Sequence, residues 1–168
     1  ERIDIEGNAT TLDQVIRRQF RTVEGDPLNP REIRQAAERL RALGYFANAE
    51  VTADQGASGD QVVVDVNVEE QPTGSLSFGA SYGATQGVGL SIGFTETNFL
   101  GRGQTLNAQI SSGVDNANSS ITFIEPFFLN RDLKFRFSAF YGTSDADDEE
   151  WLASVVARRI EDDVVARG

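Results

Sequence analysis

The chain has 168 residues, with 26 acidic and 15 basic side chains giving a net charge of −11, and contains neither cysteine nor histidine. These absences remove disulfides, thiolate nucleophiles, the usual general base and the commonest metal ligand, so the composition argues against an enzyme, catalytic residues, a metal site or a bound cofactor. The negative charge argues against nucleic acid as a partner, because phosphate binding needs clustered Lys and Arg.

The first strand and helix can be placed within the first twenty residues. Arg2–Glu6 alternates apolar and polar side chains and is followed by a Gly-Asn turn, which predicts a strand. A helix should follow, because Thr10 with Asp13 three positions on resembles a capping box. Apolar residues then recur at helical spacing as far as Phe20. The chain is therefore expected to begin as strand and then helix.

A second helix and two strands complete this region. Asn29 is the expected N-cap before a proline at the first helical position, and Gly44 has the place of a left-handed C-terminal cap. Strands are predicted at residues 47–54 and over Val62–Val68, where valine occupies every second position. Residues 1–72 therefore predict a β-α-α-β-β module whose two helices cover one face of a three-stranded sheet.

Between Thr73 and Tyr141 the pattern changes to alternation of apolar residues with small polar ones. The first such segment has Leu76, Phe78, Ala80 and Tyr82 on one face and Ser75, Ser77, Gly79 and Ser81 on the other. The segment Val88–Glu96 repeats this pattern. Because the side chains of a strand alternate between its faces, this region predicts amphipathic antiparallel strands with one apolar face and one small, hydrated face.

The composition of these strands bears on whether the apolar face meets a protein core or lipid. Residues 73–142 hold only four basic and four acidic side chains, whereas the solvent face of a soluble sheet usually carries Lys and Glu. Segments of about ten residues with a small polar face are typical of a transmembrane β-barrel. A soluble β-sandwich is the alternative. No run of about 18 apolar residues exists, so we expect no membrane helix.

Residues 143–168 form an acidic tail with eight acidic and three basic side chains. From Trp151 to Arg167 apolar residues recur at helical spacing; they are Leu152, Val155, Val156 and Ile160. We leave the tail unassigned. About five strands cannot close a membrane barrel. We therefore expect either a fragment of a longer protein or several chains that complete one sheet.

Six segments, in the same order, are similar to one known family. They are Arg17–Arg21 through Glu24-Gly25, Glu38-Arg39-Leu40 with Leu43–Phe46, Gln61–Val66 with Val68–Glu70, Thr73–Ser75 with Gly79 and Tyr82-Gly83, Asn98–Gly103, and Glu125–Leu129. Together they resemble a polypeptide-transport-associated (POTRA) domain followed by the start of the barrel in the BamA family of outer-membrane assembly factors. On this resemblance, residues 1–72 are the POTRA domain and residues 73–142 the N-terminal strands of an outer-membrane β-barrel.

The resemblance implies a POTRA domain in the periplasm, next to the membrane, and a partial barrel in the outer membrane of a Gram-negative bacterium. It implies a protein, not an enzyme, that folds and inserts other barrel proteins. The expected partners are assembly-machine lipoproteins, unfolded outer-membrane barrel clients and the lipid bilayer.

Two interaction sites are also implied. In this family the first barrel strand pairs weakly with the last, and its opened edge is thought to template incoming strands; the matching residues are Gly74, Ser75, Leu76, Ser77, Phe78, Gly79, Ala80, Ser81 and Tyr82. Their small polar-face side chains leave pairing mainly to backbone hydrogen bonds, so we expect a weakly specified register. The turn after the first POTRA helix contacts a lipoprotein in the family, and the matching residues are Arg21 and Glu24.

Two other functions stay open at this point. A polypeptide-secretion pore of the two-partner type belongs to the same superfamily and would need loop and barrel motifs beyond this chain. A soluble β-rich binding module is the second alternative, and it would be monomeric in buffer without detergent.

Overall fold

The computed structural model describes residues 2–21, 29–55, 62–84, 87–114, 116–144 and 149–159. The chain divides into two compact units. The first comprises Glu1–Thr73 together with Leu100–Arg102, and the second comprises Gly74–Phe99 and Gly103–Gly168.

The first unit has the predicted order β-α-α-β-β. Its elements are β1 (Arg2–Glu6), α1 (Asp13–Arg17), α2 (Pro30–Ala42), β2 (Phe46–Gln55) and β3 (Val62–Glu70). The sheet order is β1-β3-β2, with β1 parallel and β2 antiparallel to β3. The last of these three strands in chain order, β3, is therefore the central strand of the sheet.

Helix α2 begins and ends where the sequence predicts. The side chain of Asn29 accepts a hydrogen bond from the backbone N–H of Arg31 at 3.1 Å, and Pro30 opens the helix. Gly44 follows the last turn with φ of 73°, the left-handed conformation that terminates many helices. Ile33, Ala36, Ala37 and Leu40 form the buried stripe.

Helix α1 is shorter than predicted, and the capping box at Thr10 is wrong. The residue at the N-cap position is Leu12, which makes no side-chain capping bond. The amides of Thr10 and Thr11 instead donate to the carboxylate of Glu70. A strand remote in sequence thus supplies acceptors where local cap chemistry was expected.

The core lies entirely in the first unit, between its helices and one face of its sheet. The largest fully buried side chains are Ile16, Leu40, Val64 and Val66. On β3 the valines at every second position from Val64 are buried while Asn67 between them is exposed, as the alternation predicts. Every buried apolar residue within the described ranges falls between Ile3 and Val68.

The second unit is one antiparallel sheet of six strands in chain order. The strands are β4 (Gly74–Gly83), β5 (Gly87–Phe99), β6 (Gln104–Ser112), β7 (Asn116–Glu125), β8 (Leu133–Ser144) and β9 (Glu149–Arg159). The predicted antiparallel strands are confirmed, and the sheet is open, with β4 and β9 at its two edges.

Two of the connections between strands of this sheet are fully described. Residues 101–103 lie between β5 and β6, and residues 126–132 lie between β7 and β8 with a short 3₁₀ turn at Phe128–Asn130. Between β6 and β7, Gly113 and Val114 are described and Asp115 is outside the described residues.

The helical spacing proposed from Trp151 onward is wrong over residues 151–159. These residues belong to β9, which pairs with β8 so that Tyr141 faces Trp151 and Phe137 faces Val155. Trp151, Ala153, Val155 and Ala157 also fall on every second position, so the same residues fit a strand as well as a helix. Pairing with β8 decides between the two. Of the helices that the structure describes, none has the length and apolar character to cross a membrane.

Candidate functional site

The register of the second sheet sorts its side chains into two faces, because residues directly opposite each other point to the same side. We call one of them the apolar face; it comprises Leu76, Phe78, Ala80, Tyr82, Val88, Leu90, Ile92, Phe94, Leu106, Ala108, Ile110, Ile121, Phe123, Phe135, Phe137, Ala139 and Tyr141. It extends across the five strands β4 to β8 and is continuous along the row Leu76, Phe94, Ala108, Ile121 and Ala139; Ser112 and Ser119 also lie on it.

The apolar face is uncovered. Phe78 is 73% exposed, Leu76 59% and Ile110 61%. None of the large apolar residues of β4 to β8 whose burial the structure describes is buried. A β-sandwich would bury its inward-facing side chains, so this exposure does not fit the sandwich alternative.

At the end of the sheet where β4 begins, the apolar face stops at a row of polar side chains. Glu96 lies opposite Gly74 and Leu106, two residues after Phe94 of the apolar face. On the next strands Gln104 donates a hydrogen bond from Nε2 to Glu125 Oε2 at 2.5 Å. This row marks one limit of the apolar band.

The other face is built mainly from small and polar side chains, and it also carries Ile124 and Phe140. Asn107 Nδ2 donates to Thr95 Oγ1 at 3.0 Å, and the hydroxyls of Thr122 and Ser138 lie 3.1 Å apart. The sheet therefore has a chemically distinct second surface that suits water rather than hydrocarbon.

The residues proposed as a templating edge all lie in β4, the first strand of this sheet. Gly74 to Tyr82 pair with β5 on one side only. Within the described residues no strand pairs with the other side of β4, so backbone groups along that edge have no partner in the sheet. The residues from Gly74 through Tyr82 are all exposed.

Of the two residues expected to contact a lipoprotein, the structure describes only Arg21. Arg21 is exposed beyond the end of α1. Glu24 lies outside the described residues. The described residues contain no group of three acidic side chains that could hold a metal ion.

Sequence reasoning missed a cluster around Glu70, at the end of β3. Its carboxylate accepts hydrogen bonds from the backbone N–H of Thr10 at 3.0 and 3.1 Å and from that of Thr11 at 2.6 Å. Burial of the carboxyl group opposes its ionisation, but the hydrogen bonds from Thr11 and Thr10 outweigh it, so the pKa of Glu70 lies below its usual value.

The next amide of the same segment has a different acceptor within the first unit. Leu12 N–H donates to the carbonyl oxygen of Gly101 at 2.9 Å. Three consecutive amides, from Thr10 to Leu12, are thus satisfied by residues far away in sequence. No local sequence signal predicts either acceptor.

Comparison with known proteins agrees with this two-part architecture. Residues 1–71 match the POTRA family described as surface antigen variable number repeat, and residues 98–158 match the Omp85 superfamily domain. The chain is 32% identical over 127 residues to the outer membrane protein assembly factor BamA of Neisseria meningitidis serogroup B, a match covering 75% of this chain and 16% of that protein. The chain belongs to the BamA family.

Solved structures agree with this BamA-family assignment. The crystal structure of Haemophilus ducreyi BamA lacking POTRA domains 1–3 has a TM-score of 0.79 at 28% identity, covering 94% of this chain and 31% of that one. CdiB from Escherichia coli has a TM-score of 0.59 at 17% identity over 92% of this chain and 30% of that one, which shows a shared fold alone. This BamA-family chain thus spans less than a third of the length of each of these three relatives.

Proposed function

We propose that this protein takes part in folding and inserting β-barrel proteins at the bacterial outer membrane, with its POTRA domain in the periplasm and its sheet in the bilayer. The observation that carries the proposal is the broad, exposed apolar face of β4 to β8 opposite a face of mainly small and polar residues. Hydrocarbon would take up such a face, which is larger than the apolar patches that soluble monomers usually expose. The curated relatives are named outer membrane protein assembly factors.

Two neighbouring residues of β6 test the lipid-facing role. Ile110 lies on the apolar face and Gln109 on the other, and both are exposed. In the full-length protein, Ile110→Arg should place a charge in hydrocarbon at a cost of about 2–4 kcal/mol near the bilayer midplane, whereas Gln109→Arg should stay in a wet environment. The measurement is the amount of each variant in the outer membrane and of the barrel proteins that depend on it. Equal tolerance of both arginines, or equal loss, would contradict the proposal.

The free edge of β4 is the proposed template for an extended strand of an unfolded barrel client. Unpaired backbone groups along an edge strand can bind another strand by hydrogen bonding, largely independently of side-chain identity. In hydrocarbon those groups gain strongly from a partner, because no water competes for them.

Cysteine cross-linking tests this edge, since the chain itself contains no cysteine. Ser77→Cys in β4 should form a disulfide with a cysteine placed in a strand of a client stalled during assembly. Gln109→Cys is the matched control, because both neighbours of β6 are strands of this sheet. Cross-linking of the two variants to the same extent would argue against templating by β4.

Arg21 is the described part of the proposed lipoprotein contact. Because its side chain is exposed, it is available to an acidic surface of a periplasmic lipoprotein. Arg21→Glu should reduce co-purification of assembly-machine lipoproteins, whereas Arg34→Glu, an exposed arginine of α2, should not. If both variants retain the lipoproteins, Arg21 has no part in the contact.

A further inference from the structure

The polar face of the β4–β5 pair has a regular complementarity between serine and glycine. Directly opposite residues form three successive pairs, each with one serine and one glycine: Ser77 with Gly93, Gly79 with Ser91, and Ser81 with Gly89. The serine comes from β4 in two pairs and from β5 in one.

In each pair the serine hydroxyl occupies the space opposite the glycine. A Cβ atom added to Gly93 would lie 2.6 Å from Ser77 Oγ, and one added to Gly89 would lie 2.6 Å from Ser81 Oγ. A Cβ atom at Gly79 would overlap Ser91 Oγ. The Ser77 hydroxyl also donates to the carbonyl oxygen of Gly93 at 3.3 Å.

We infer that these three Ser–Gly pairs fix the register of β4 on β5. The smallest slip that keeps the apolar face intact is two residues. One such slip places Ser77 opposite Ser91, where two hydroxyls compete for one space, and Gly79 opposite Gly89, where a gap remains. The slip in the other direction pairs Ser81 with Ser91 and Gly79 with Gly93. Both slips lose complementarity at neighbouring positions.

The consequence for assembly rests on the proposed function. If β4 templates client strands, its two edges differ. The edge toward β5 has one preferred register, whereas the opposite edge has no partner among the described strands and presents the same residues to an incoming chain. The weakly specified register expected from the small side chains therefore applies to the outer edge, and a client strand exchanges there without displacing β4 from β5.

Disulfide trapping in the full-length protein reports the register directly. Leu76→Cys with Phe94→Cys captures the observed register, because these residues are directly opposite on the apolar face. Leu76→Cys with Ile92→Cys, and Phe78→Cys with Phe94→Cys, capture the two slipped registers. In the observed register these last pairs are diagonal neighbours, about 7–8 Å apart and beyond disulfide reach.

The register is then perturbed by changing only the small residues. Gly89→Ser with Gly93→Ser creates two Ser–Ser pairs in the observed register, while each slipped register now has two Ser–Gly pairs. We expect the ratio of slipped to native disulfide to rise about 2- to 30-fold. Exchanging serine and glycine within all three pairs keeps three Ser–Gly pairs in the observed register at the wild-type composition, whereas neither slipped register then has more than one. The substitutions are Ser77→Gly, Gly79→Ser, Ser81→Gly, Gly89→Ser, Ser91→Gly and Gly93→Ser. This exchanged variant should return the ratio to the wild-type value or below.

A disulfide between Ala108→Cys and Ile121→Cys, opposite residues of β6 and β7, verifies in parallel that the sheet has formed. An unchanged ratio in the double-serine variant, or no return in the exchanged variant when that control disulfide forms, would overturn the inference. These readings do not depend on client cross-linking at Ser77→Cys. Failure of the proposed function and failure of the register inference are therefore distinguishable.

Discussion

The two units treat their apolar residues in opposite ways. In the first, Leu40 is fully buried against the other core residues, while in the second Leu76 is 59% exposed. Each unit is nevertheless regular and fully paired in its interior strands. The first unit is thus stabilised by its own core, and the second needs an apolar environment that this part of the chain does not supply.

The difference shows that strand alternation alone does not identify what an apolar face meets. Valines alternate on β3 much as apolar residues alternate on β5. What differs is the other face, which carries Asp65 and Asn67 on β3 but mainly Gly, Ser and Thr on β5. The character of the polar face separates a strand of a water-soluble module from one suited to a barrel wall.

The largest test of this comparison is one substitution made in both units. Leu40→Ala should lower the free energy of unfolding of the first unit by about 2–5 kcal/mol, because it leaves a cavity in a close-packed core. Leu76→Ala shortens a side chain that is mostly exposed, and should cost about 1 kcal/mol or less in lipid. Urea unfolding of the full-length protein, monitored by limited proteolysis, measures the change in free energy of unfolding for both variants. Equal effects would remove the distinction between the two units.

A second test compares two glycines of the first unit that share a left-handed backbone. Gly101 has φ of 69° and Gly44 has φ of 73°, but an added Cβ would overlap the carbonyl oxygen of Thr10 at Gly101 and meet nothing at Gly44. Gly44→Ala should cost about 1 kcal/mol from backbone strain alone. Gly101→Ala should cost about 2–4 kcal/mol, because Thr10 or the turn must also move.

Hydrogen exchange identifies where that cost falls. Gly101→Ala should increase exchange at the amide of Leu12, the donor to Gly101, while Gly44→Ala should leave it protected. Protection of Leu12 in both variants would show that the turn at residues 100–102 is not an integral part of the first unit.

The smallest expected effect concerns pH. Because the pKa of Glu70 is lower in the folded state, its ionised carboxylate stabilises the first unit above the unfolded pKa of about 4.3, and this contribution is lost as the pH falls through the folded value. Glu70→Gln should speed exchange of the Thr10 and Thr11 amides about 3- to 10-fold at neutral pH. The difference in exchange rate between Glu70→Gln and wild type should shrink as the pH falls through the folded pKa of Glu70.

The neighbouring Glu69 provides the control for this measurement. Glu69→Gln changes an exposed side chain of the same strand and should leave the Thr10 and Thr11 amides unchanged. A pH-independent difference between Glu70→Gln and the wild-type protein would show that the carboxylate charge does not matter there.

Much of this architecture could be predicted because its signals are local. The cap at Asn29, the left-handed Gly44 and the valine alternation of β3 each follow from adjacent residues. The interpretation failed where a distant partner decides the local structure. The amide of Thr10 donates to Glu70, remote in sequence, instead of taking part in a local capping box. Residues 151–159 form a strand because β8 pairs with them.

The candidate site shows the same division. The residues of β4 were visible as a small-residue strand, but their complementarity to β5 depends on which serine lies opposite which glycine. That information is present in the register and absent from either segment alone. The polar row at Glu96, Gln104 and Glu125 was missed for the same reason, since its members come from three strands.

The central position of β3 has a consequence for the order of events in synthesis. Ile3 pairs with Val64, and Val51 pairs with Val66, so the first and second strands each pair with the third and not with each other. When the chain is synthesised from its N-terminus, this sheet cannot begin to form until β3 has been made, because β1 and β2 do not pair with each other. Pairing of β1 with β3 also joins residues far apart in sequence, and such contacts form late and slowly. A nascent chain that stops before Val62 therefore holds two strands that lack a common neighbour.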